Sequence, residues 1–442
     1  MRLKYVIIAD DLTGSNDTGV QFARYGLKTF VLPSPHKVEE KIEKIGKHAD
    51  VLVFNTESRA DSPDIAYEKC RNIATTLRRY DIEIVYKKVD STMRGNIGAE
   101  LDGVLDGFGR EIAFFTSAFP LNNRIVTGGY LLVNGLPVNL TAFARDPVSP
   151  VKEANVLRII RKQSERNIGL VEYSDVSQGV NTIREKVNEL IKKRVNIIVF
   201  DVVSQEDLLN IAEAIKDYHR IAIYSGSAGL ARELPKVFGE TEKESEQRFS
   251  PRSGKVLMFS GSVNPLTLEQ IEYAKKMLGA EIIDIDAGKI LKDEEEELTR
   301  VTRLVSDVIN SENDAIILKT VKSQSDVTVT WNIGKKLGLS PKEISVKIAH
   351  FLGILARNIL NEHSREISGL ILTGGDTAIN VCESLNVVAL EILDEIEPGV
   401  PIARAISETY KDLYIVTKAG GFGKENTIAK AIECLIKKEL SR

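Results

Sequence analysis

Residues 3–19, LKYVIIADDLTGSNDTG, decide the fold of this chain. The apolar run at residues 5–9, YVIIA, is rich in β-branched side chains and too short for a core helix, so it predicts a buried strand. The run ends at Asp10 and Asp11, and the polar residues 13–16, TGSN, are typical of a turn or a helix cap. Apolar residues then recur at helical spacing. The stretch therefore predicts a strand, a tight polar turn and a helix.

The two acids of this stretch point to function. Ligands of open α/β sheets lie at the carboxyl ends of strands. Two adjacent carboxylates in that position repel each other and resist desolvation, so they are expected to serve a cation, a substrate hydroxyl or a proton transfer. The alternative is that one of Asp10 and Asp11 only caps the helix, which would leave the other acid unexplained.

Length and composition limit the classes of protein that need be considered. A chain of 442 residues predicts two domains, and 43% hydrophobic with 28% charged residues is typical of a soluble globular protein. The net charge of −4 favours neither a nucleic acid nor a membrane as partner. Cys70, Cys382 and Cys434 stand alone in the sequence, so we expect reduced, buried thiols in a cytoplasmic protein. No signal peptide or membrane-spanning stretch is predicted.

Strand-like and amphipathic segments alternate along the whole chain, which predicts an α/β fold with mostly parallel sheets. The charged stretch GETEKESEQRFSPRS begins at Gly239 and is the best linker candidate. We therefore predict two domains, residues 1–238 and 255–442, joined by a linker at 239–254. Each domain is expected to be a sheet flanked by helices, with a ligand cleft between the two.

Polar residues follow most strands of the first predicted domain. Parallel strands would bring these ends to one edge of one sheet, where acids, arginines, a lysine and hydroxyls suit a small polyhydroxylated anion. The polar segments that follow the strands are residues 55–59 (NTESR), 87–96 (KKVDSTMRGN), 116–120 (TSAFP), Asp201 and 225–229 (SGSAG).

Residues 120–150 carry closely spaced turn signals, which predict a β-hairpin or loop excursion over the strand ends. Arg124 and Arg145 fall in this excursion, and the sequence alone does not assign them a ligand role. Tyr130 and Trp331 are assigned to packing rather than to an adenine-binding platform. The histidines receive no catalytic role.

The second predicted domain has three polar strand-to-helix turns, SGSVNP at 260–265, TGGDT at 373–377 and KAGGFG at 418–423. Glycines let backbone N–H groups approach an anion, and a helix N-terminus adds a favourable dipole. These turns predict phosphate binding, although none is a Walker A loop and the GxGxxG of nicotinamide dehydrogenases is absent. An anion site on one domain and a nucleotide site on the other would suit phosphoryl transfer.

The same motifs also resemble a known family, the four-carbon acid sugar kinases. The resemblance covers nearly the whole chain. Its sugar-acid-binding half is matched by residues 10–19, 88–96 and 225–230, with residues 143–147, FARDP, as a further signature. Its nucleotide-binding half is matched by the three glycine-containing turns of the second domain. The resemblance implies ATP-dependent phosphorylation of the terminal hydroxyl of threonate, erythronate or 3-oxo-tetronate.

The candidate residues take the following roles under this resemblance. Arg59, Arg94 and Lys88 are expected to hold the substrate carboxylate and hydroxyls. Ser91, in the same segment as Lys88 and Arg94, is also expected to bind the substrate. Asp10, Asp11 and Asp90 are expected to bind hydroxyls. The catalytic proton acceptor is expected among these acids or at Asp376, with Asp376 and Asp11 preferred; the alternative for Asp376 is a helix N-cap. The nucleotide is expected to contact Ser260, Ser262, Gly374, Gly375, Asp376, Thr377, Gly420, Gly421 and Gly423.

ATP and Mg²⁺ are the expected cofactors, since phosphoryl transfer needs the phosphate charge neutralised. The protein ligands of Mg²⁺ and the particular acid remain open. A kinase for another small hydroxy acid, or a sensor that binds sugar acid and nucleotide without turnover, is the alternative function. A homodimer is expected only because dimers are common.

Overall fold

The computed structural model describes residues 2–146, 148–242, 249–251 and 253–436. Internal contacts divide the chain into two compact units, Met1–Glu244 and Ser245–Arg442. Part of the predicted linker, residues 243–248 and 252, lies outside the described residues, as does Pro147 of the 143–147 signature. The predicted domain limits therefore stay a prediction, and each unit is described by itself.

The first unit is an α/β layer structure with an added antiparallel hairpin. Its strands are β1 (Arg2–Ala9), β2 (Thr29–Leu32), β3 (Val51–Asn55), β4 (Asp81–Lys88), β5 (Ile112–Thr116), β6 (Arg124–Thr127), β7 (Tyr130–Val133), β8 (Leu136–Pro137), β9 (Ile168–Val171), β10 (Ile197–Phe200) and β11 (Ala222–Gly226). Its helices are α1 (Leu12–Ala23), α2 (Val38–Ile45), α3 (Pro63–Leu77), α4 (Ile97–Phe108), α5 (Val156–Arg161), α6 (Tyr173–Val176), α7 (Val180–Lys192), α8 (Gln205–Ile215) and α9 (Ala228–Val237).

The main sheet of this unit is parallel and has the order β2-β3-β1-β4-β11-β5-β10-β9. Its registers bring the strand ends together, as predicted. Ala9 pairs with Asn55 on one side and Lys88 on the other. Lys88 pairs in turn with Gly226, which pairs with Thr116. The segments after these residues therefore share one edge of the sheet.

The excursion at residues 120–150 contains the antiparallel sheet β6-β7-β8. This confirms the predicted hairpin. Tyr130 on β7 is 42% exposed and Trp331 in the second unit is 51% exposed, so their assignment to packing was wrong. A residue next to each of them in sequence is buried. Sequence periodicity alone did not show that these two side chains face outward instead.

The second unit also has a mostly parallel sheet, of order β13-β14-β12-β15-β18-β17-β16, in which only β16–β17 and β17–β18 are antiparallel. Its strands are β12 (Lys255–Ser260), β13 (Glu281–Asp284), β14 (Ala315–Lys319), β15 (Ile367–Thr373), β16 (Ala389–Glu397), β17 (Val400–Ile406) and β18 (Tyr414–Lys418). Its helices are α10 (Pro265–Leu278), α11 (Ala287–Lys292), α12 (Glu294–Val308), α13 (Gln324–Lys336), α14 (Pro341–His363), α15 (Gly375–Ser384) and α16 (Thr427–Leu435).

The core of each unit lies between its sheet and the covering helices, which is why the strands read as continuous apolar runs. In the second unit, for example, Val256 and Met258 of β12 pack with Ile271 of α10 and Ile432 of α16. Among the described residues, the chain has no helix with the length and apolar character needed to span a bilayer. Cys70 and Cys382 are buried, Cys434 is half-buried, and all are free thiols, as expected from their spacing.

Candidate functional site

The acid pair after β1 is joined by one arginine. Arg59, from the loop after β3, donates from Nε to Asp10 Oδ2 at 2.7 Å and from Nη1 to Asp11 Oδ2 at 2.6 Å. Burial alone would raise the pKa of Asp10, but Arg59 and Lys87 outweigh it and lower that pKa. Asp10 is 2% exposed, and its Oδ1 has no hydrogen-bond partner. A buried carboxylate oxygen without a donor is a suitable acceptor for a ligand hydroxyl.

Asp11 also caps a helix. Its Oδ1 accepts the backbone N–H of Gly14 at 2.8 Å, which makes Asp11 the N-cap of α1. The capping alternative is therefore correct for Asp11, while Asp10 takes no part in the cap. Because the other oxygen of Asp11 pairs with Arg59, the capped helix and the arginine are fixed relative to each other.

Asp90, after β4, is the centre of a second cluster. Arg94 binds it with both sides of its guanidinium, Nε–Oδ2 at 3.0 Å and Nη2–Oδ1 at 2.9 Å, and Thr92 donates to it as well. Arg94 also reaches Asp146 at 3.1 Å. Burial opposes ionisation of Asp90, but Arg94 and Arg59 hold its pKa well below the usual range. Asp90 therefore stays a carboxylate at any physiological pH and is a poor proton acceptor.

Arg59 connects the two clusters. Its Nη2 lies 3.9 Å from Asp90 Oδ1, so one guanidinium faces all three acids. The sequence-predicted residues Asp10, Asp11, Arg59, Asp90 and Arg94 thus come together at one edge of the sheet, while Ser91 lies half-buried in the same loop. Both predicted arginines are, however, already paired with carboxylates of the chain.

Lys88 differs from these arginines. It is 4% exposed at the end of β4, and the described residues give its ammonium no hydrogen bond or ion pair. A Cβ placed on Gly14 would lie 2.7 Å from Lys88 Nζ and 2.6 Å from Asp11 Oδ1, so a side chain at residue 14 would force the ammonium and the capping carboxylate to move. A buried cation without an anion is unfavourable unless a ligand supplies one.

The three glycine-containing turns of the second unit also meet at a sheet edge. Ser260 pairs in register with Thr373, and Thr373 with Lys418. A Cβ on Gly420 would lie 2.5 Å from Ser262 Oγ, and one on Gly261 would lie 2.7 Å from Thr377 Oγ1. The turns are therefore in close contact, with the backbone of one turn against a side-chain hydroxyl of another. This arrangement brings together the residues that the sequence assigns to the nucleotide.

Several groups in these turns are available to an anion. No side chain caps α15, whose N-cap is Gly374 with φ of 96°. A Cβ on Gly375 would meet nothing within 4 Å, and Ser260 Oγ is buried without a hydrogen-bond partner. Uncapped N–H groups at a helix N-terminus, open space and a free hydroxyl are what a phosphate group needs. Gly421 and Gly423 belong to the same loop, and Gly423 also has a positive φ, 83°.

Asp376 does not cap α15, so that alternative was wrong. It lies in the first turn with an exposed side chain, behind the N-cap Gly374. Partial desolvation by the surrounding protein raises the pKa of its carboxyl, which Lys342 only partly offsets. The raised pKa makes the Asp376 carboxylate a better proton acceptor than Asp10 or Asp90, whose pKa values are lowered. No group of three or more His, Cys, Asp or Glu among the described residues could hold a metal ion.

Three features of these sites were given no individual role from the sequence, namely Lys418, the Lys87–Glu100 pair and Arg124. Lys418, a member of the KAGGFG turn, is buried and donates only to carbonyls, at 2.8 Å to Ala419 and 3.0 Å to Gly420. Lys87 and Glu100 form a buried ion pair beneath the acid clusters. Arg124 belongs to the hairpin. Lys418 could have been noted from its motif, but the other two depend on contacts between distant segments.

Comparison with known proteins agrees with this division into two kinds of site. The family model for a sugar-binding N-terminal domain matches residues 5–234, and the model for a nucleotide-binding C-terminal domain matches residues 257–428. A D-threonate kinase of Salmonella typhimurium is 34% identical over 432 residues, covering 97% of this chain and 98% of that protein. The chain belongs to the four-carbon acid sugar kinase family.

Two further similar proteins support the assignment of this chain to the kinase family. A D-erythronate kinase of Heliobacterium modesticaldum is 32% identical over 445 residues, covering 98% of this chain and 97% of that protein. A solved structure of a Haemophilus influenzae protein is 25% identical, has a TM-score of 0.74, and covers 98% of this chain and 100% of that one. The resemblance and the α/β fold predicted from the sequence are thereby confirmed.

Proposed function

We propose that this kinase-family member transfers the γ-phosphoryl group of ATP to the terminal hydroxyl of a four-carbon sugar acid, namely threonate, erythronate or 3-oxo-tetronate. The observation that carries the proposal is the position of Arg59, which faces Asp10, Asp11 and Asp90 at one sheet edge beside the unpaired Lys88. Fixed carboxylates accept hydrogen bonds from hydroxyl groups, and free cationic groups bind a carboxylate. A short polyhydroxylated acid presents both kinds of group.

The contacts support a division of roles within the proposed sugar-acid site. Arg59 and Arg94 hold the carboxylates of Asp10, Asp11 and Asp90 in place, and these carboxylates accept hydrogen bonds from the substrate hydroxyls. Lys88 contributes positive charge to the site. Ser91 would add a hydroxyl from the same loop. Such pre-organised polar groups bind without reorganisation, and this aligns the attacking hydroxyl.

The turns of the second unit would hold the nucleotide. The N–H groups at Gly375 and Thr377, the backbone of Gly374, Gly420, Gly421 and Gly423, and the hydroxyls of Ser260 and Ser262 would contact ATP. Mg²⁺ would arrive on the triphosphate as part of the substrate and neutralise its charge. Asp376 would accept the proton of the attacking hydroxyl. Asp11 is the alternative acceptor.

The test is ATP consumption by the purified protein with Mg²⁺. The panel contains D- and L-threonate, D- and L-erythronate and 3-oxo-tetronates, and ADP release is followed together with phosphomonoester formation by ³¹P NMR. We expect one acid to give a turnover far above the others. ATP binding without turnover of any panel member would contradict the proposal and favour either another hydroxy acid or a sensor. The predicted cleft between the domains and the homodimer remain predictions.

A further inference from the structure

Arg124 is a charged residue of the first unit that the proposed roles leave unused. It begins β6, and its backbone is fixed on both sides by Phe119, with Phe119 N–H donating to Arg124 O at 2.8 Å and Arg124 N–H donating to Phe119 O at 3.2 Å. Its side chain is half-buried. The Nε atom is completely buried and has no hydrogen-bond partner, and the guanidinium makes no ion pair within the described ranges.

This absence of a partner contrasts with the other two arginines of the site. Arg59 and Arg94 are each bound by two carboxylates at hydrogen-bond distance. Burial lowers the pKa of Arg124, although Asp90 and Asp17 attract its charge from a distance. A partly buried guanidinium without a direct anion is unfavourable in the unliganded protein, so it is retained at a cost to stability.

The hairpin that carries Arg124 is fastened to the main sheet. Val126 and Val202 exchange two backbone hydrogen bonds, of 2.8 and 2.7 Å. The buried carboxylate of Asp201, directly after β10, accepts the N–H groups of Gly128 and Gly129, each at 2.8 Å. These anchors and the bridge between Phe119 and Arg124 together fix the backbone of Arg124 at the sheet edge that holds the acid clusters.

We propose that Arg124 binds the carboxylate of the sugar acid and thereby selects an acid over the corresponding polyol, an inference that rests on the proposed function. Arg59 and Arg94 are already committed to carboxylates of the chain, so they orient acceptors for hydroxyls. Arg124 offers a planar guanidinium with free donors, which matches a carboxylate in geometry and charge. Asp90 then lies on the hydroxyl side of the substrate and Arg124 on its carboxylate side.

The test compares Arg124→Gln and Arg124→Lys with Arg158→Gln, an exposed arginine of α5 outside the excursion that serves as the matched control. The probe is D-threonate, or D-erythronate if the panel selects it, and its Kd is measured by calorimetry without ATP. We expect Arg124→Gln to weaken binding about 10- to 100-fold, Arg124→Lys to weaken it less, and Arg158→Gln to match the wild type. In turnover, KM should rise by a similar factor with little change in kcat.

The melting temperature gives the readout that separates binding from a structural role. Since Arg124 loses no partner when it is replaced, Arg124→Gln should be at least as stable as the wild type without ligand. Three results for Arg124→Gln would overturn the inference. An unchanged Kd for the acid would leave the substrate carboxylate to Lys88, and a loss of kcat alone would place Arg124 on the phosphoryl group. A fall in melting temperature large enough to account for the weaker binding would show a structural role. Failure of the wild type to bind any panel acid would instead overturn the proposed function.

Discussion

Lys87 Nζ lies 2.8 Å from Glu100 Oε2, and both side chains are completely buried beneath the acid clusters. Lys87 also donates to the carbonyl of Lys88 at 2.7 Å, while Glu100 accepts the hydroxyl of Ser58 at 2.6 Å. The pair therefore joins β4, α4 and the loop that carries Arg59. Its charges cannot reach a ligand directly, so its role is to hold these three segments together.

Glu100→Gln should destabilise the protein strongly. The substitution leaves the Lys87 ammonium buried without a counter-charge, which costs about 3–5 kcal/mol in comparable cases. Lys87→Met combined with Glu100→Gln removes both charges and should recover at least half of that loss. Urea unfolding of the two variants measures the difference. If the double variant is no more stable than Glu100→Gln alone, the unpaired charge is not the cause.

Asp376→Asn should reduce kcat about 10²- to 10⁴-fold with little change in melting temperature. The expectation follows from the raised pKa of the carboxyl and from its position behind Gly374, where it makes no capping bond. Asp207→Asn is the matched control, because Asp207 accepts the N–H groups of Val203 and Ser204 at the start of α8. That variant should lose about 1 kcal/mol of stability and keep its kcat. Equal effects of the two changes on kcat would remove Asp376 from the reaction.

Gly374→Ala should raise the KM for ATP at least about tenfold, because a φ of 96° strains any residue with a Cβ and shifts the N–H groups of α15. The KM for the sugar acid should stay unchanged. Gly338→Ala provides the comparison, since Gly338 also has a positive φ, 76°, and open space around its Cα but belongs to no predicted site. Both variants should lose similar stability. A rise in the ATP KM for both would show a general folding defect.

ATP binding should weaken as the pH rises through about 8. Burial lowers the pKa of Lys418 from 10.5 to about 8, so the folded protein favours the neutral amine above that pH, whereas phosphates favour the ammonium. The stability of the folded protein changes in the opposite direction. Because the pKa of Lys418 is lower in the folded than in the unfolded protein, the buried ammonium destabilises the fold fully below pH 8. This destabilisation disappears as the pH rises toward 10.5. Calorimetric titration of ATP from pH 6.5 to 9.5 checks the expectation.

Lys418→Gln should bind ATP more weakly at pH 7 and show no such pH dependence. Lys255→Gln is the control, because burial also lowers the pKa of Lys255 while its ammonium donates to Ser311 O at 2.6 Å, away from the glycine-containing turns. Its ATP affinity should follow the wild-type pH profile. A flat wild-type profile would separate Lys418 from the phosphates.

Much of the sugar-acid site could be predicted because its residues directly follow strands. Asp10, Lys88 and Asp90 stand where an apolar run stops, and parallel register then determines that they meet. Sequence patterns could not show that Arg59 would be shared by three acids, because that depends on how the loops after β1, β3 and β4 fold back. Asp11 illustrates the same limit, since a single side chain both caps α1 and pairs with Arg59.

Arg124 and Glu100 could not have been assigned from the sequence for a different reason. Glu100 lies within a helix and Arg124 in a hairpin, where charged residues normally face solvent. Only the tertiary packing shows that one is buried against Lys87 and the other lacks a partner. Asp201 is the converse case: it follows a strand like the site acids, but its carboxylate accepts backbone N–H groups of the hairpin turn and of Tyr173 at the start of α6.

The three free thiols have a practical consequence for studying the hairpin. Burial raises the pKa of Cys70 to about 12 and that of Cys434 to about 11, and Cys382 is buried. Thiol reagents act on the thiolate, so the native cysteines should react slowly near neutral pH. A cysteine introduced at Leu136, which is 55% exposed on β8, would be the preferred point of attachment for a fluorophore or spin label. The wild-type background would then serve directly for measuring hairpin motion, with no prior removal of cysteines.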